Sequence, residues 1–106
     1  MNPEAIEKLI EKGRDSYESR LAAGQARLKN GDLEPAIEHF RKATEFNPQH
    51  TTAWQELGRA LKADDELPAA REAWKNGLSA ARANGDKQAE KVLQVWLKRL
   101  DKTDPA

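Results

Sequence analysis

Residues 30–48 read NGDLEPAIEHFRKATEFNP, and this stretch decides the fold. Asn30-Gly31 tolerates left-handed backbone and so closes a preceding helix. Asp32 can cap the next helix, and Pro35 falls in its first turn, where the missing N–H costs little. Ala36, Ile37, Phe40, Ala43 and Phe46 recur at intervals of three and four, an apolar stripe down one helix face. Pro48 blocks continuation. The charged residues between stand on a wet face, and none of them reads as catalytic.

The same grammar extends outward in both directions, with no strand signal anywhere. Ile6, Leu9 and Ile10 line a short first helix, with Pro3 in its opening turn and Gly13 past its end. Asp15 followed by Glu18 reads as a capping box for a second helix carrying Leu21, Gly24 and Leu28. Beyond Pro48, a fourth helix starts near Thr51 or Thr52 and carries Trp54, Leu57, Gly58 and Leu61. A fifth, after Asp64-Asp65, carries Ala70, Ala73, Trp74, Gly77 and Leu78. The last carries Ala89, Val92, Leu93, Trp96 and Leu100, and the tail DKTDPA reads as frayed. The expected helices span about 3–12, 16–29, 33–46, 52–63, 67–83 and 87–100.

A shift of 34 residues lays Gly24 on Gly58, Ala26 on Ala60, Leu33 on Leu67, Ala36 on Ala70, Phe40 on Trp74 and Ala43 on Gly77. The matches are the small and apolar residues that let helices touch. With two helices per period, the motif TAWQELGRAL, the turn GDLEPA and the closing FNP, the chain resembles the tetratricopeptide repeat. The resemblance covers Tyr17 to about Asn84 as two repeats, 17–50 and 51–84. A helix in 1–16 precedes them, a capping helix in 85–100 follows, and 101–106 is the tail. It implies one all-α domain, an α–α superhelix of antiparallel helices coiling right-handed. Four positions depart from the family pattern. Arg20 stands where tryptophan is usual and Arg27 where a large aromatic is usual, which implies looser packing of the first repeat on the N-terminal helix. Asp65 replaces a turn glycine. Arg82 replaces the closing proline and implies that the fifth helix continues to about Ala83. Gly58 is expected against a small residue of the fifth helix, and Phe40 and Trp74 are expected to be buried.

Composition narrows the function. The 106 residues include 18 basic and 18 acidic side chains, a formal net charge of zero. A balanced chain has no general electrostatic reason to bind nucleic acid or anionic lipid. There is no cysteine, so neither disulfides nor thiolate metal sites arise. No run of about 20 apolar residues exists, and the start MNPEAIEKLIEKG is acidic, so a cytoplasmic protein is the expectation. His39, placed on the outer face of the third helix beside Glu38 and Lys42, and His50, in a loop, lack a second ligand at metal spacing. Carboxylates such as Glu38 beside Lys42, or Glu7 beside Lys8 and Glu11, read as ordinary surface pairs. NGD and ANGD are turns rather than phosphate loops. No enzyme, cofactor or metal is expected.

What remains is partner binding. The resemblance implies a concave groove lined by the first helix of each pair, acting as an adaptor or scaffold for a segment of another protein. Carried onto this chain, the groove comprises Leu21, Gln25, Leu28 and Lys29, then Gln55, Arg59 and Lys62, then Lys87, Lys91 and Gln94. Glu18, Glu56, Glu90 and Lys98 stand beside them. Leu21 and Leu28 either face this groove or pack on the N-terminal helix. Six basic residues against three acidic ones make an acidic peptide the expected ligand. A clamp for a chaperone's terminal carboxylate is not expected, because its lysine and two asparagines correspond here to Leu21, Gln25 and Glu56. The expected state is a monomer that binds neither nucleic acid nor membrane. Self-association through an exposed helix face is the alternative, and RNA binding by Arg14, Arg20 and Arg27 a third.

Overall fold

The computed structural model describes residues 2–103. Six helices follow one another: α1 Pro3–Glu11, α2 Tyr17–Lys29, α3 Leu33–Phe46, α4 Thr51–Ala63, α5 Leu67–Asn84 and α6 Lys87–Thr103. Each packs on the next, and α2 also touches α4. Connections this short force antiparallel neighbours. The smallest dimension is 18 Å, two layers of helices at about 8–10 Å per layer.

Glycine meeting aromatic ring sets the packing within each pair. Phe40 is fully buried and Trp74 is 3% exposed. A methyl group added at Gly24 would lie 2.5 Å from Phe40 Cε1, and one added at Gly58 would overlap the Trp74 indole. Gly58 therefore faces the ring itself, not the small residue expected of α5. The reason is that Trp74 lies flat enough to fill the gap that two small residues would leave. Its Nε1–H donates to the Gln55 carbonyl at 3.1 Å, so the indole is held by a hydrogen bond as well as by packing. Ala36 and Ala70 are buried beside these contacts.

Turns and caps differ from the expectation in detail. The α2 cap is Ser16, not Asp15. Its hydroxyl accepts from the Ser19 N–H, and the Ser19 hydroxyl accepts in return from the Ser16 N–H. Asp15 instead binds Arg20 at 2.7 and 3.0 Å. Asp32 precedes α3 but makes no side-chain cap, because its carboxylate is taken by Arg27 at 3.0 Å. Gly31 turns at φ +80°, and Asp65, its counterpart one period on, is forced to φ +59°, a conformation that disfavours a residue with a Cβ. Helix α5 runs unbroken to Asn84 and ends at Gly85 in left-handed backbone. Asp86 then caps α6 through the Ala89 N–H at 3.1 Å. Asp101, Lys102 and Thr103 continue α6 rather than fraying; Asp104 to Ala106 lie outside the described residues.

The N-terminal helix is tied down by charge. Pro3 and Ile6 are its buried residues. Beside them, the Glu7 carboxylate receives both arms of Arg27, at 2.6 and 3.0 Å. His39 is not on an outer face: it is 8% exposed, with Nε2 2.7 Å from Glu7 and Nδ1 3.1 Å from Arg20. Arginine can only donate, so Nδ1 accepts and Nε2–H donates to Glu7. Arg27 thus ties α1 to α2 and His39 ties it to α3, so Glu7 is no surface pair, while the packing of α1 on α2 is the sparsest between successive helices, as expected. The stripe of α3 could not reveal this, because the face bearing His39 is covered by α1 and not by α2 alone.

Two predictions follow from these contacts. Phe40→Ala should cost about 3–5 kcal/mol and Gly58→Ala about 1–3 kcal/mol by overpacking, both read from urea denaturation. The second concerns acid. The Arg27 guanidinium, with His39, holds the Glu7 carboxyl at about 2 against an ordinary 4.5, overcoming partial burial. A depressed carboxyl stabilises the fold fully above pH 4.5 and loses that contribution as pH falls toward 2. Glu7→Gln should therefore cost about 1–3 kcal/mol at neutral pH, and the gap from wild type should close over that acid range. A gap unchanged across that range would contradict the assignment.

Candidate functional site

Helices α4, α5 and α6 build an open cleft of about 450 Å³, lined by Arg59, Lys62 and Ala63 of α4, Trp74 of α5, and Trp96 and Arg99 of α6. Its position follows from the fold. Leu57, Gly58 and Leu61 turn inward on α4, so Arg59 and Lys62, one or a few residues on, flank that buried stripe. Leu93 and Leu100 are fully buried on α6, and at about 100° per residue Trp96 and Arg99 fall toward α4. The floor is aromatic: the Trp74 and Trp96 rings lie 5.2 Å apart, tilted by 46°. Trp74 is buried and Trp96 half-buried.

The rim is cationic. Arg59 pairs with Glu56 at 2.9 Å along its own helix. Among the described residues, no carboxylate lies within ion-pair reach of Lys62 or Arg99. Glu90, expected beside the groove, turns to Arg82 of α5 at 3.2 Å. A smaller cleft of about 310 Å³ adjoins along α6, lined by Lys91, Val92, Val95, Trp96 and Arg99. The two clefts share Trp96 and Arg99.

The ten residues expected in one groove are distributed over several places. Arg59 and Lys62 line the main cleft, and Lys91 the adjoining one. Gln55 is half-buried, and its carbonyl receives the Trp74 N–H. Leu21 and Leu28 are half-buried against the main core, a third outcome beside the two expected. Gln25 and Lys29 line a separate crevice of about 570 Å³ against Asn2, Pro3 and Ile6 of the N-terminal segment. Lys87 and Gln94 are exposed, and helical rotation from Leu93 and Leu100 puts them on the far side of α6 with Lys98. Arg99, Trp96 and Val95 were not expected there. The repeat register, carried over with the one-residue slip that Val92, Leu93 and Trp96 require, selects 87, 90, 91 and 94, whereas helical rotation from Leu93 alone puts 92, 95, 96 and 99 on one edge.

No group of three or more His, Cys, Asp or Glu side chains is placed to hold a metal among the described residues. Nor is any helix there long and apolar enough to cross a membrane. The site can offer charge, an aromatic surface and backbone-independent shape, which is the chemistry of recognition.

Comparison with known proteins agrees. The tetratricopeptide-repeat profile matches residues 17–61. The chain is 41% identical over 99 residues to the TPR repeat-containing protein PA0015 of Pseudomonas aeruginosa, spanning 93% of this chain and 94% of that one. It is 32% identical over 74 residues to the uncharacterized protein MJ0572 of Methanocaldococcus jannaschii, spanning 70% and 81% of the two. The solution structure of protein BPP2914 from Bordetella parapertussis superposes with a TM-score of 0.80 at 35% identity, covering 96% of this chain and 89% of that one. A tetratricopeptide repeat domain protein from Salinibacter ruber gives 0.77 at 22% identity over 83% and 89%, a likeness of fold alone. With paired helices, glycine-on-aromatic contacts 34 residues apart, and a relative matched over nearly its whole length, the chain belongs to the tetratricopeptide-repeat family of protein–protein interaction modules.

Proposed function

We propose that this module is an adaptor that holds an acidic segment of a partner protein over the cleft between α4 and α6, and that it does so as a monomer. One observation carries this reading: Lys62 and Arg99, without a carboxylate in reach, flank the half-buried Trp96 indole. Unneutralised cations beside an aromatic surface favour an anionic ligand with something to pack. On the N-terminal side Arg20 and Arg27 are already paired with Asp15, Glu7 and Asp32, and Lys29, though unpaired among the described residues, lines a crevice that has no aromatic ring. Self-association has weaker support. The exposed large apolar residues Leu9, Phe46 and Val95 sit on three different helices. RNA and membrane lipid are disfavoured by the balanced overall charge and by Arg20 and Arg27 being occupied.

A photo-crosslinking residue placed at Lys62 should capture a partner protein, while one at the exposed Lys75 of α5 should not. Reversing Arg59 and Lys62 together to glutamate should weaken binding of that partner by about tenfold or more at low salt, with the helical content unchanged. The difference should shrink toward 1 M salt, where the Debye length is about 3 Å. Equal capture at both positions, or a partner segment that is basic, would contradict the reading, as would sedimentation showing a dimer.

A further inference from the structure

Helix α6 carries a second stripe that the fold uses only in part, through Trp96. Ala89, Leu93 and Leu100 face inward. Beside them Lys91, Val92, Val95, Trp96 and Arg99 line the open edge. Val95 is 45% exposed, one of only three large apolar residues so exposed among those described. The stripe runs over nine residues, Lys91 to Arg99, or about 12 Å, with a cation at each end and apolar side chains between. That spacing is what one helix presents to another.

The opposite end of the molecule shows how such a stripe is covered. There α1, with Glu4, Glu7 and Glu11 around Ile6 and Ile10, lies on α2. Its buried residues are apolar, and Glu7 takes both arms of Arg27. An amphipathic helix that packs apolar residues on its neighbour and sets a glutamate against that neighbour's arginine is therefore a contact this chain already makes, though α1 carries Lys8, with Lys12 at its end, as well. Lys91 and Arg99, with no carboxylate in ion-pair reach among the described residues, offer the same chemistry on α6 to a helix from outside.

We infer that the edge of α6 docks an acidic amphipathic helix of a partner protein, which packs aliphatic side chains on Val92, Val95 and Trp96 and sets carboxylates about two turns apart against Lys91 and Arg99. The docked helix takes the place the next helix of the solenoid would occupy. This rests on the reading of the cleft in so far as Trp96 and Arg99 serve both. Lys91 and Val95 belong to the edge alone, and Arg59 and Lys62 to the cleft alone, so the two ideas separate.

The test uses the full chain and three fluorescein-labelled synthetic helices of about 15 residues. One has leucines on one face with glutamates two turns apart. In the second the leucines are serine, and in the third the glutamates are lysine. Fluorescence anisotropy at low salt should show the first binding about tenfold tighter than either control. Val95→Asp and Lys91→Glu should each weaken it about fivefold or more with circular dichroism unchanged. Both sites are on the surface, so the fold should survive. Equal binding of the serine peptide, or indifference to both substitutions, overturns the proposal. If only the Arg59→Glu, Lys62→Glu pair matters, the edge proposal fails and the cleft reading stands. If the acidic helix does not bind, or no substitution matters, both fail. Concentration-dependent association of the chain that Val95→Asp abolishes would make a second copy the occupant and overturn the proposal, as would tighter binding of a single-stranded RNA of similar length.

Discussion

The contact on which the rest depends is the Trp74 indole lying on Gly58. Any side chain at residue 58 would occupy the ring's space. The close approach of α4 and α5 exists because that side chain is missing, and Phe40 on Gly24 repeats the arrangement in the preceding pair. The same indole then does a second thing. Its far side meets Trp96, so the ring that closes one helix pair is also the floor of the cleft to α6. Arg59 follows Gly58 directly in the sequence and emerges at the rim. Core and cleft thus share one residue, and the cleft cannot shift without disturbing the core.

The two ends of the molecule solve the same problem with different materials. A solenoid is held by contacts between neighbours, and its last helices must face water. At the N-terminal end the family's aromatic positions hold Arg20 and Arg27, and α1 is fastened by Asp15, Glu7 and His39 around them. The two arginines at those positions both have carboxylate partners. At the C-terminal end the aromatic residues are kept, and beside them Lys62 and Arg99 lack carboxylate partners among the described residues, while Arg59 has Glu56. A chain with no net charge therefore still presents one electropositive, aromatic surface. Charge balance over the whole sequence hides this, because the acids that neutralise the sum stand elsewhere.

How much of this could be read in advance depended on how local the cause was. Helix bounds, the buried Phe40 and Trp74, and the long α5 followed from spacing of three and four, from turn residues and from the repeat. Where competition between nearby polar groups decides, spacing does not discriminate. Ser16 rather than Asp15 caps α2 because Arg20 claims the aspartate. Asp32 likewise leaves its cap for Arg27. His39 is buried by α1, a helix 30 residues away in sequence, and periodicity within α3 cannot see it. Of the expected groove residues on α4, Arg59 and Lys62 lie at the cleft and Gln55 does not. On α6 the register was carried past the last repeat, and Leu93 and Leu100 turn Arg99 inward to the cleft and Lys98 away from it.

The account rests most on the claim that recognition occurs around Trp96. The chain has three tryptophans, and their indole N–H groups give three separate proton signals in three surroundings. Trp54 donates to the Pro48 carbonyl at 2.9 Å, Trp74 donates to Gln55 under the core, and Trp96 stands at the junction of the two clefts. Titrating the isotope-labelled protein with the acidic amphipathic helix and following these three signals reads the site directly. The Trp96 signal should move most, Trp74 less, and Trp54 should stay in place. Movement of Trp54 with Trp96 unchanged would contradict the account.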